Sequence, residues 1–126
     1  MPYSIVDTSI WVDHLRKGDA RLKTLLEAGQ VAIHPFVVGE LALGNLRQRN
    51  IVLSSLRDLP HAVSASNEEV FDFIERHALA GLGIGFVDAH LLASARLTSA
   101  SLWTRDKRLN AAAVKLGLAD SSIPTE

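Results

Sequence analysis

The sequence predicts an α/β protein, a three-layer α/β/α sandwich around a short central parallel sheet. Three observations predict it. Short apolar runs of strand length alternate with longer segments of helical periodicity. Helix-starting and helix-stopping residues stand at most of the junctions. Two strand-like runs lead into an acidic residue: residues 3–6 end at Asp7, and residues 101–103 are followed by Asp106. In parallel α/β folds the carboxyl ends of the strands line the functional crevice. The 126 residues suffice for one domain, residues 1–126, and not for two. Internal repeats, linkers and low-complexity blocks are not apparent.

Residues 3–6 read as a buried strand. Thr8 or Ser9 is expected to cap a helix over residues 10–17, which Gly18 stops. Asp19 caps a second helix through Ala28, with Leu22, Leu25 and Leu26 as its apolar stripe. Residues 31–34 form a second strand. Pro35 suits the first turn of a helix to about Gln48, and Asn50 restarts one to about Leu59, where Pro60 breaks it. Residues 61–63 read as a third strand. Asn67 caps the next helix, with Glu68 and Glu69 in the first turn, where the helix dipole favours them. Residues 81–85 are a glycine-rich loop, 86–98 a helix, 101–103 a strand and 107–115 the last main helix, stopped by Gly117. Leu118 or Ile123 marks a possible fifth strand.

Composition excludes several classes. A hydrophobic fraction of 48% and a charged fraction of 21% are those of a soluble globule. A net charge of −1 argues against a broad, sequence-independent DNA-binding surface. It leaves room for a nucleic-acid substrate held by a local basic rim and a metal. Cysteine is absent, which removes disulfides, thiolate nucleophiles and cysteine zinc sites and fits a reducing cytoplasm. The amino-terminal residues lack the pattern of a signal peptide. No apolar run approaches the roughly 20 residues of a membrane span.

Four acids stand where the chain is otherwise apolar: Asp7, Glu40, Asp88 and Asp106. Burying a carboxylate costs several kcal/mol unless something pairs with it. No matching set of lysines or arginines occupies equally apolar positions, so a divalent cation is the economical partner. Oxygen-only ligands point to magnesium or manganese rather than zinc. Each acid also has a plain structural explanation. Asp7, Asp88 and Asp106 all fall where a helix N-cap or first turn belongs. Glu40 shares a helix face with Phe36, Val37 and Leu43, and residues 36–46 hold no other ionisable group, so its plain role would be a glutamate reaching the surface at a helix end. Carboxylates gathered in one crevice raise one another's pKa, and a dication relieves that repulsion. Such an ion lowers the pKa of bound water and stabilises charge on a phosphoryl oxygen; paired ions about 3.5–4 Å apart clamp the attacking and leaving oxygens. That chemistry describes a phosphodiester hydrolase.

The runs Ile5-Val-Asp-Thr-Ser-Ile-Trp, Val38-Gly-Glu-Leu, Gly85-Phe-Val-Asp-Ala-His-Leu-Leu-Ala-Ser-Ala and Leu102-Trp-Thr-Arg-Asp-Lys-Arg-Leu resemble the successive motifs of PIN domains. They are most similar to those of the VapC-type ribonuclease toxins of bacterial type II toxin–antitoxin pairs. The resemblance spans Tyr3 to about Leu118. It implies that Asp7, Glu40, Asp88 and Asp106 are the catalytic and metal-binding quartet, with supporting hydroxyls at Ser9 and Thr104. It further implies a cytoplasmic, magnesium- or manganese-dependent endoribonuclease acting on RNA such as tRNA, and a homodimer. The implied partner is an antitoxin whose carboxyl-terminal segment covers the acids, often with a basic side chain. Thr8-Ser9 departs mildly from the Thr-Asn or Ser-Ser of many relatives, which bears on the hydroxyl contact.

Among the cations, Arg47, Arg49 and Arg57 read as a solvated helix face. Arg105, Lys107 and Arg108 border the crevice and are the candidates to grip RNA phosphates. The histidines are scattered; His90 falls two residues from Asp88 and points away from it on a helix. Gly81, Gly83 and Gly85 imitate a phosphate loop without the Gly-Lys-Ser/Thr that would complete it. Trp11 and Trp103 read as core. Two other readings compete. A magnesium-dependent phosphotransfer or phosphatase domain also places an aspartate at a strand end, but the dehalogenase pattern needs a second aspartate where Ser9 stands. A non-catalytic PIN-like scaffold needs no acid quartet.

Overall fold

The computed structural model describes residues 2–120. β1 (Ser4–Val6) lies between β2 (Val31–Ala32) and β3 (Ser101–Trp103) in a parallel sheet of order β2-β1-β3. Ser4 aligns with Val31 and Ser101, Ile5 with Ala32 and Leu102, and Val6 with Trp103. Successive strand side chains point to opposite faces, and Ser4, Ile5 and Val6 are all buried. Both faces of the sheet are therefore covered, which is how parallel sheets are stabilised and what the predicted sandwich requires. The buried hydroxyls of Ser4 and Ser101 satisfy each other at 3.0 Å.

The helices are α1 (Thr8–Lys17), α2 (Ala20–Glu27), α3 (Pro35–Ala42), α4 (Arg49–Arg57), α5 (Asn67–Arg76), α6 (Phe86–Thr98) and α7 (Lys107–Lys115). α6 is the central helix. Its residues from Ala89 to Ala95 are all buried, because it packs on β1 and β3 and carries α5 as well. α7 packs on β3, α1 on α3, and α3 on α4. Among the described residues, no helix is long and apolar enough to cross a membrane.

Several element boundaries differ from the sequence expectation. α1 begins at Thr8, capped by Asp7 itself rather than by Thr8 or Ser9. α3 ends at Ala42 instead of near Gln48. Arg49 donates to the carbonyls of Ala42 and Gly44, and Gln48 takes a left-handed conformation that ends any helical continuation. α5 is capped by Ser66, not Asn67: Ser66 Oγ accepts from Glu69 N and Glu69 Oε1 accepts from Ser66 N, a reciprocal capping box. The third strand expected over residues 61–63 is reduced to one bridge between Ile33 and His61. The next rung would need an N–H from residue 35 for the carbonyl of Ala62, but Pro35 has none and begins α3; the Val63 amide faces the other way, to Thr98 Oγ1 at 2.9 Å. Leu118 accepts a hydrogen bond from Leu102 N at 2.7 Å without forming a strand; Ile123 lies outside the described residues.

This topology creates a crevice. From β1 the chain leaves through α1 and α2 to β2 on one side. From β3 it leaves through α7 to Leu118, which meets the free edge of β3 on the other side. Neighbouring parallel strands whose exits diverge open a cleft at their carboxyl ends. Asp7 follows β1 there, and Thr104 and Asp106 follow β3.

Candidate active site

The backbone fastens the two strand ends first. Asp7 N donates to Trp103 O at 2.9 Å, continuing the β1–β3 ladder past Val6. This holds Asp7 opposite the loop that leaves β3. Asp7 Oδ1 accepts from Thr8 N at 2.8 Å and so caps α1. Asp7 Oδ2 accepts from Thr104 Oγ1 at 2.7 Å. The same hydroxyl accepts from Asp106 N at 3.1 Å. Thr104 is buried, so this two-way bond is shielded from water. Asp106 Oδ1 in turn accepts from Arg108 N and Leu109 N, at 2.9 and 3.0 Å, and caps α7. One threonine therefore couples both strand-end acids. Capping places both carboxylates at the strand exits, since an N-cap carboxylate sits where a strand ends and a helix begins.

Asp88 enters from α6. Its Oδ2 accepts from Gly85 N at 3.0 Å, which orients the carboxyl at the helix start. Burial pushes its pKa above the ordinary carboxylate value; the Gly85 hydrogen bond opposes the rise, and the negative charges of Asp7 and Asp106 add to it. Those two repulsions put Asp88 within electrostatic reach of both strand-end acids. Glu40 comes from α3 and is joined by a different link: its Oε1 accepts from Thr8 Oγ1 at 2.9 Å. On α1 the hydroxyl that reaches one of the four acids is that of Thr8. Ser9, the position the resemblance implies, is exposed. The sequence reading missed Thr8 by treating it as a helix cap; its place directly after the strand-end acid was the available signal.

The pocket is less enclosed than the sequence suggests. Asp7 and Asp88 are half-buried, while Glu40 and Asp106 are exposed. The apolar face that Glu40 shares is itself open, with Phe36 39% and Leu43 91% exposed. Among the described residues, no group of three or more acidic or histidine side chains already forms a metal cage. Of the rim cations, Arg105 is turned onto Asp13 and Asp19. Arg108 lies against Gly83, where a Cβ would come within 2.7 Å of its Nη1. Lys107 is exposed.

His90 is buried: its Nε2 lies 3.1 Å from Asn67 Oδ1, and its ring contacts Phe36 and Phe86. Beside Glu40 runs a groove of about 510 Å³ lined by Val12, Leu15, Leu41, Leu46 and Val52, with Arg16 and Arg47 on its walls.

The family model of the PIN domain matches residues 4–115. Two proteins named Ribonuclease VapC32 are 47% identical to this chain over 116 residues. They come from Mycobacterium tuberculosis strains CDC 1551 / Oshkosh and ATCC 25618 / H37Rv, and the match covers 91% of this chain and 94% of theirs. With its strand-end acids, parallel sheet and this similarity, the chain belongs to the PIN-domain family, among its VapC-type members.

Proposed function

We propose that this protein is a metal-dependent endoribonuclease toxin restrained by a cognate antitoxin. The observation that carries the reading is the Thr104 hydroxyl joining Asp7 to Asp106 across the β1–β3 exit, with Asp88 electrostatically coupled to both. The 47% identity to proteins named as ribonucleases supports the same reaction class. Asp7, Asp88, Asp106 and Glu40 are the residues that would hold the metal. They offer only carboxylate oxygens, a donor set suited to magnesium or manganese. The mutual repulsion at Asp88 is a reason for positive charge to enter. When bound, such an ion supplies charge stabilisation for the phosphoryl oxygens and a more acidic water.

The chain's own contribution is orientation. Thr104 and Thr8 N fix the Asp7 carboxylate, Gly85 N fixes Asp88, and the α7 amides fix Asp106. Glu40 is held by Thr8 from the far side. Lys107 and Arg108 supply positive charge at the rim for RNA phosphates. The groove between α1, α3 and α4 suits an apolar antitoxin segment that ends with a cation on Glu40. A second copy would cover the exposed phenyl rings of Phe36, Phe71 and Phe86. The RNA is read as translation-related, such as tRNA, and the setting as cytoplasmic.

The test is RNA cleavage by the wild type and by Asp7→Asn and Asp88→Asn, with magnesium or manganese and with excess chelator. Cleavage that survives either substitution, or persists unchanged in chelator, overturns the reading. One alternative is a PIN-like scaffold without catalysis. Metal titration separates the two: a site raises the melting temperature with magnesium or manganese, and a scaffold does not.

A further inference from the structure

We infer that Arg105 is a positioning residue that locks the Thr104–Asp106 turn to the α1–α2 corner, and not a residue that grips RNA. The kinetic part of this inference rests on the ribonuclease reading above. Arg105 stands between the two residues that organise the β3 exit. Thr104 holds Asp7 Oδ2, and Asp106 caps α7. The guanidinium of Arg105 does not point outward. Its Nη1 donates to Asp13 Oδ2 on α1, and its Nη2 to Asp19 Oδ2 at 3.0 Å, at the start of α2.

The anchor is itself rigid. Asp19 Oδ1 caps α2 through Leu22 N at 2.9 Å, and Asp19 N donates to His14 Nδ1 at 3.0 Å. Gly18 N returns to His14 O at 2.8 Å. The corner between α1 and α2 is therefore fixed before Arg105 reaches it. A planar guanidinium can engage carboxylates from two helices at once, which an ammonium does poorly. All three side chains are at least two-thirds covered, at 33%, 33% and 18% exposure, so the pairing is partly shielded from solvent.

Electrostatics argue the same way. The charge of its guanidinium is offset by Asp13 and Asp19, which makes Arg105 a weak partner for a phosphate. A surface ion pair contributes little to stability, so global stability is not where this clamp acts. Its leverage comes from chain geometry: one residue separates Thr104 from Asp106, and a shift of Arg105 carries both. A misplacement of about 1 Å costs on the order of 100-fold in a catalytic step.

The experiment compares the full chain with Asp13→Asn, Arg105→Ala and the double variant. Asp13→Asn keeps the shape of its side chain and leaves the α2 cap intact, so it remains informative if Arg105→Ala folds poorly. The expected result is a fall of about tenfold in kcat for RNA cleavage with KM unchanged. The double variant should be no worse than Arg105→Ala, because both remove one link. In chelator, amide exchange should accelerate at Asp106, Arg108 and Leu109 and stay unchanged in α6. A raised KM for Arg105→Ala with normal Asp13→Asn would overturn the inference and make Arg105 an RNA contact. Unchanged exchange at the three amides would also overturn it. If the wild type cleaves no RNA, the ribonuclease reading falls, and amide exchange alone decides the clamp.

Discussion

Thr104→Val replaces a buried side chain with one of the same shape and deletes a single hydroxyl. That hydroxyl donates to Asp7 Oδ2 at 2.7 Å and accepts from Asp106 N at 3.1 Å. A hydrogen bond to an ionised group contributes about 1.5–3 kcal/mol, and a neutral one about 1 kcal/mol. Asp7 is only half-buried, so water partly replaces the first bond and the lower end applies. The expected loss is about 2.5 kcal/mol. For a domain of this length, roughly 4 °C of melting temperature accompanies each kcal/mol, so the fall should be about 10 °C. Thr104→Ser keeps both bonds and should fall clearly less. Thermal denaturation followed by circular dichroism in chelator isolates the protein's own stability. Single-turnover RNA cleavage should drop by roughly 10- to 100-fold for valine, since Asp7 and Asp106 lose their common fixed point. If the valine variant melts and cleaves like the serine variant, the hydroxyl does not organise the site and the reasoning fails.

Asp88→Asn should raise the melting temperature at neutral pH in chelator while abolishing cleavage. The folded carboxyl has a raised pKa, so its ionised form costs stability above that pKa, and the cost vanishes as pH falls below the unfolded value. An asparagine variant that is less stable at neutral pH would contradict this. His34 predicts an acid-side loss. It is buried, its Nδ1 accepts from Phe36 N at 3.0 Å, and burial followed by repulsion from His90 lowers its pKa to about 4. Between its ordinary 6.5 and about 4, the unfolded chain takes a proton that the folded chain refuses. Stability should therefore be full above that window and decline through it, by about 3 kcal/mol at the bottom. Urea midpoints against pH should show that decline in the wild type and a flatter profile in His34→Asn. Gly83→Ala should cost about 1–2 kcal/mol, because φ is +78° there. The Arg108 guanidinium can move aside, so the backbone accounts for most of the cost; an unchanged urea midpoint would refute it.

The elements that sequence anticipated share one property: their signals are local. Asp19 caps α2 as expected, through Leu22 N. α6, β3 and α7 have the predicted bounds, because apolar periodicity, Ser99-Ala100 and Gly117 mark them within a few residues. Ser66 competed with Asn67 for the α5 cap, and the reciprocal bond with Glu69 decided it. Residues 61–63 lost their strand because Pro35, where α3 begins, has no N–H to give the carbonyl of Ala62. Glu40 reads as buried in sequence and is exposed, since the apolar neighbours Phe36 and Leu43 on its face are themselves exposed. Arg105 reads as a rim cation and is occupied by two carboxylates that lie more than 80 positions earlier in the chain.

Sequence alone established the alternation of strands and helices, the candidate acids and an oxygen-only donor set, since periodicity, capping and ligand chemistry belong to residue types and short spacings. Tertiary structure alone decided which acids meet and through what. Thr104 reaches Asp7 across 97 positions, and Thr8 reaches Glu40 across 32. Such bonds depend on where the sheet order β2-β1-β3 brings the strand ends, and no local pattern records that distance.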